Sequence, residues 1–149
     1  MVTLAGTILN YLAANWAAPS PLIGEIGWRE GWFDATSITA LDAQITVTEY
    51  SRRVGHYFAG DGTLRIKMYP QFWVNCWHRI PRGDFGTLQA QRVENMREEV
   101  VRIVRAGWLN VPPFPVLVPQ GEGEPRHELE AEPRILRYEV TLLGMRDEP

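Results

Sequence analysis

"YPQFWVNCWHRIP", residues Tyr69–Pro81, packs two tryptophans, a phenylalanine, the single cysteine and a histidine into one short run. Read as an extended strand, its side chains alternate. Phe72, Val74, Cys76 and His78 fall on one face, Trp73, Asn75, Trp77 and Arg79 on the other, up to the break at Pro81. Both faces are demanding. A layer of helices can bury only one face of a sheet, so the face with the two indoles needs other cover, and the expectation is a second subunit.

The flanking sequence continues the pattern. In "TLRIKMY" Leu64, Ile66 and Met68 alternate with Arg65, Lys67 and Tyr69, and upstream "AGDGT" offers Asp61-Gly62 as a hairpin turn. "DAQITVTEYS" sets Ile45 and Val47 against Thr46 and Thr48, a half-buried first strand. On the other side, "GDFGTLQAQRVENMREEVVRIVRAG" carries Val93, Met96, Val100, Ile103 and Val104 at helical spacing. Asp84 or Thr87 is expected to cap its start, Gly107 to sit just past its end, and Glu98 to pair with Arg102.

At the N-terminus Leu4, Ile8, Leu12 and Trp16 form a helical stripe with Thr3 as N-cap, ended by Pro19-Ser20-Pro21. "PLIGEIGWREGWFDATSITALD" keeps no period, and reads as a loop anchored by Trp28, Trp32 and Phe33. "GWLNVPPFPVLVPQ" is expected to give a short strand and an extended run, and "GEGEPRHELEAEP" an acidic loop. "RILRYEVTLLGM" returns to strand alternation, with Leu136, Tyr138, Val140 and Leu142 on one side. The sum is an α+β fold: a mostly antiparallel β-sheet packed against two helices, one of them long.

Length and composition agree with a single domain over 1–149, interrupted by an irregular Pro/Gly/Glu-rich insert at about 112–133. Hydrophobic residues are 45% and charged residues 22% of the chain, enough apolar content to fold. A net charge of −3 gives no general attraction to nucleic acid or anionic membrane. One cysteine allows no internal disulfide, which favours an intracellular setting, and no run approaches the roughly 18 apolar residues of a membrane span. Six tryptophans, Trp16, Trp28, Trp32, Trp73, Trp77 and Trp108, are many for this length and fit burial or subunit contact.

Signals for chemistry are weak. Cys76 and His78 share a strand face, the geometry of a nucleophile and its base, but no orienting group or oxyanion site accompanies them. His56, His78 and His127 are scattered without metal-ligand spacing. "AGDGT" lacks the residues of a phosphate loop, and Glu25, Glu30, Asp34 and Asp42 have no selective spacing. No catalytic, cofactor or metal residue is therefore assigned. "RIKMYPQFWVNCWHR" interleaves bases with aromatics as a nucleic-acid stacking platform does, but without glycines beside the aromatics and in an acidic chain.

The order of elements resembles the tail terminator or tail-completion (head–tail joining) proteins of tailed bacterial and archaeal viruses. The residues carrying the resemblance are "ILNYLAANW", "QITVTEY", "RIKMYPQFWVNCW", "MREEVVRIV" and "RYEVTLL"; "VPPFPVLVPQGEGEPRHELEAEP" has no counterpart. The resemblance implies a non-enzymatic subunit of a homo-oligomeric ring, commonly a hexamer. Such a ring caps the tail tube, joins it to connector proteins, lets DNA pass without specific binding, and resides in the virion after assembly in the host cytoplasm. Trp73, Trp77, Arg79, Trp28, Trp32 and Phe33 are the expected subunit contacts. The alternative is a small α+β ligand-binding domain or enzyme using the Cys76/His78 face.

Overall fold

The structure, a computed structural model, describes residues 3–33, 41–58, 60–107, 116–122, 126–129 and 134–148. Chain order is α1 (Leu4–Ala14), a 3-10 turn (Ile23–Glu25), β1 (Ile26–Glu30), β2 (Ala43–Phe58), β3 (Leu64–Ile80), α2 (Thr87–Ala106), β4 (Val116–Glu122), β5 (Arg126–Leu129) and β6 (Arg134–Glu148). The strands form one sheet in the order β1-β2-β3-β6-β4, with β5 also paired to β6. Every pairing is antiparallel except β1 with β2. The architecture is α+β, as the alternation predicts.

β3 is the central strand. Its even-numbered residues Phe72, Val74 and Cys76 are fully buried under the helices, level with Ile45 and Val47 of β2 and Val140 and Leu142 of β6. α1 contributes Ile8 and Leu12 and packs on β1 and β2; α2 contributes Val93, Met96, Val100 and Val104 and packs on β3, β4 and β6. Period 2 from the strands meets period 3.6 from the helices in one apolar layer.

The helix ends correct one expectation. At α1 the Thr3 hydroxyl accepts from the Gly6 N–H at 2.9 Å, the predicted cap. At α2 neither Asp84 nor Thr87 caps; the N-cap is Gly86 at φ 87°, and a Cβ there would lie 2.9 Å from Ile80 Cδ1. The chain turns too tightly out of β3 for a side-chain cap. Gly107 does close α2, but at negative φ. Its missing Cβ leaves room for the Tyr11 hydroxyl.

Arg102 does not pair with Glu98. It grips Glu99 at 2.5 and 2.9 Å, because Glu99 is buried and also accepts the Ala17 N–H at 2.6 Å. These hydrogen bonds, led by Arg102, hold the Glu99 carboxyl below the usual range against the opposing effect of burial. Glu99 thereby ties the segment after α1 to the long helix.

Two loop expectations are also corrected. Part of the stretch read as a loop is β1, whose Ile26 is buried and whose Gly27 lets the Gln44 side chain approach. Likewise the 112–133 insert is not irregular throughout: it adds β4 and β5 to the sheet, with Pro119 on an outer strand where its missing N–H is tolerated. Trp108 lies outside the described residues.

Phe72→Ala should destabilise the fold by about 3–5 kcal/mol in urea unfolding, because the site is enclosed on both sides of the core. Leu88→Ala, at an exposed position of α2, should change stability by no more than about 0.5 kcal/mol.

Candidate functional site

The helices back only part of the sheet. Where β2 and β3 run past them towards the Asp61-Gly62 turn, the hairpin carries Val54 at 56% and Leu64 at 54% exposure, on the same face as Met68. Gly62 takes the positive φ of 82° that the turn predicts. On the opposite face the hairpin presents Arg53, Arg65, Lys67 and Tyr69.

At the root of this hairpin lies the Tyr50–Trp73 stack. The β2–β3 register slips between Glu49 and Ser51, so Tyr50 is the extra residue of a bulge. The bulge lets Tyr50 lie flat on Trp73, with ring centroids 4.4 Å apart and planes at 17°. Trp73 is half-buried, and among the described residues its indole N–H has no protein partner. Three other indoles are satisfied inside the chain: Trp16 to Pro21 O at 3.1 Å, Trp28 to Ile23 O at 3.3 Å, and Trp77 to Thr46 Oγ1 at 2.8 Å.

Trp77 corrects the expectation that both indoles of β3 need a second subunit. It is 1% exposed, covered by Trp32 at 4.7 Å edge-on and Phe33 at 5.7 Å. Arg137 of β6 stands 5.7 Å from the Trp77 ring and 5.2 Å from Trp32, and donates to Asn75 Oδ1 at 2.9 Å and Glu139 at 2.8 Å. This polar and aromatic cluster closes the second face locally.

The remaining expected contact residues also have partners within the chain. Trp28 lies edge-on to Trp16 at 5.3 Å and packs on the core, while the Arg79 backbone N–H donates to Asp42 O at 2.8 Å and its guanidinium lies 3.8 Å from the Asp42 carboxylate. Trp32 keeps about half its surface exposed. Among the six, the Trp73 indole N–H and the Arg79 Nε both lack a hydrogen-bond partner among the described residues, and Trp73 also carries the Tyr50 stack. Tyr50 was not among them, because a bulge has no signal in an alternating sequence.

The Cys76/His78 face is not an open one. Both residues are buried on the helix side, and burial pushes the Cys76 thiol up to about 12 despite the attraction of Arg97. His78 Nδ1 lies 2.7 Å from Arg79 O and Nε2 lies 3.0 Å from Arg92 Nη1. That places the proton on Nδ1 and leaves Nε2 to accept from Arg92, which also reaches Glu25 at 2.6 Å. Burial lowers the His78 pKa, reinforced by Arg92 and opposed by the Arg79 carbonyl and by Asp42.

No group of three or more His, Cys, Asp or Glu side chains suited to a metal occurs among the described residues. Asp34 lies outside them; Glu25 and Asp42 are engaged by Arg92 and Arg79, and Glu30 accepts from the Thr3 hydroxyl. No described helix is long and apolar enough to cross a membrane. Compared with protein-family models and with curated proteins, the chain matches none.

Two measurements check this description. Cys76 should resist iodoacetamide at pH 8 in the folded protein and react once the chain is unfolded in urea. Because folded His78 binds its proton less readily than the unfolded chain, stability should fall as pH drops below about 6.5 towards the lowered folded value. His78→Gln should flatten that part of the pH–stability curve.

Proposed function

We propose that this chain is a non-enzymatic structural subunit that assembles with copies of itself into a ring, of the kind that closes a viral tail tube or the head–tail junction. The observation that carries the reading is the β2–β3 hairpin: two long strands whose tip extends past the helices, leaving Val54 and Leu64 exposed on the helix-side face and the Tyr50–Trp73 stack on the opposite face. A lone subunit leaves Val54 and Leu64 wet on one face and the stacked rings partly wet on the other, and burying either against a neighbour is favourable at roughly 25 cal/mol per Å².

Further support comes from what surrounds the hairpin. Trp73 sits on β3, which is paired on both sides, so a neighbour would meet the indole on a braced strand rather than on a loop. The alternative enzyme reading gains nothing from the buried, poorly ionised Cys76. An overall charge of −3 suits a ring through which DNA slides without adhering. Tail-tube and connector proteins are the further partners this reading entails, with the virion as its place of residence.

Native mass measurement at micromolar concentration should give an integer multiple of the 17.0 kDa chain, six for a hexameric ring. A monomer at every concentration up to the solubility limit overturns the proposal. Replacing Tyr50 and Trp73 together by serine should leave a folded protein that no longer assembles. Trp77→Ser, by contrast, should cost about 3–5 kcal/mol of folding stability, since it opens the cluster over Thr46 and Arg137.

A further inference from the structure

We infer that the outer edge of β2 beyond β1 is a strand-addition site for the β4 edge of a second copy, so that the sheet continues from one subunit into the next. This rests on the self-assembly reading and specifies the contact that it leaves open.

The edge is long. β2 has 16 residues, of which Ala43–Val47 pair with the five residues of β1, leaving Thr48–Phe58 with no outer strand among the described residues. The covered part ends where Gly31 N–H donates to Val47 O at 3.1 Å and Thr48 Oγ1 donates to Gly31 O at 2.8 Å. Past that point half of the backbone N–H and C=O groups of β2 face outward, as on any edge strand.

The opposite edge of the same sheet fits it. β4 is the outermost strand there, and three successive antiparallel pairings make β4 run opposite to β2. A copy displaced sideways therefore presents β4 antiparallel to β2. The rows match as well: Ser51, Gln71, Leu143 and Val118 lie in one row across the sheet, and Val47, Val74, Val140 and Glu122 in another. β4 thus sits at the height of the open edge, and a slide of a few residues towards the hairpin tip clears β1. Such a stagger is what strands require when a sheet closes on itself.

Charge selects this pairing over a two-fold one. The open edge carries Arg53 beside an Arg52 that is ion-paired with Glu49 at 2.7 Å, whereas β4 ends in Glu122. Sliding towards the tip brings Glu122 to the level of Arg52 and Arg53. Two β2 edges paired about Arg53 would instead set the two arginines face to face, which is unfavourable. The two edges lie at opposite ends of the sheet, so the contact is heterologous and propagates until a ring closes.

The test uses Val54→Cys and Gln120→Cys, both exposed positions, with the buried Cys76 silent. Mixed and treated with a short bismaleimide, the two variants should give a cross-linked dimer that neither gives alone. The doubly substituted chain should give a ladder ending at the ring size. In the wild-type assembly, amide exchange over 48–58 and 116–122 should slow by about tenfold or more relative to the non-assembling Tyr50→Ser/Trp73→Ser protein. An assembly whose 48–58 amides exchange as fast as in that variant, or in which Val54→Cys cross-links only to itself, overturns the edge contact and leaves the assembly reading standing. A wild-type protein that is monomeric throughout overturns both.

Discussion

A strand is longer than a helix with the same number of residues, and the molecule is organised by that difference. β3 has 17 residues, about 56 Å at roughly 3.3 Å each, while the 20 residues of α2 span only about 30 Å at roughly 1.5 Å each. Two helices can seal the half of the sheet around Phe72, Val74 and Cys76. They cannot reach the half that ends at the hairpin turn. The exposed Val54 and Leu64 are thus a consequence of length, with the apolar in/out pattern of the strand continuing past the point where its own chain supplies cover.

The second face of the sheet shows what the chain does when it can cover itself. Around Trp77, Gln44, Thr46, Asn75 and Arg137 are all buried, and the aromatic lid of Trp32 and Phe33 excludes water from hydrogen bonds that are then worth more. Arg137 is held between rings and by Asn75 and Glu139, a planar cation used as a spacer between aromatic surfaces. Trp73, two same-face positions further along β3, lies beyond that lid and stacks on Tyr50. The boundary between closed and open surface therefore runs between two tryptophans four residues apart.

Much of this was legible because the elements concerned obey one period. The alternation from Leu64 to Arg79 and from Leu136 to Leu142, the stripe from Val93 to Val104, and the Thr3 cap each follow from residue spacing alone. β1 was illegible since Ile26 is its one fully buried apolar side chain, and a parallel partner leaves no turn signal between strands. β4 was hidden by Pro119 and Gly121, which read as loop residues yet are tolerated on an outer strand. Of the candidate surface, Trp73 could be found from its face, whereas Trp77's cover depends on which loop residues fold over it. Tyr50 depends on a bulge, which shifts register without altering composition.

The two ends of the sheet differ in how they are protected. β4 is short, and Pro119 removes a donor while the slip between Pro119 and Gly121 breaks the ladder. Such an edge resists indiscriminate pairing. The open part of β2 contains no proline and carries Arg53 beside the Arg52–Glu49 ion pair. Charge repels a like edge and admits an acidic one, so it discriminates among partners where a proline merely blocks. A long edge kept unblocked but charged is what selective pairing between unlike edges requires.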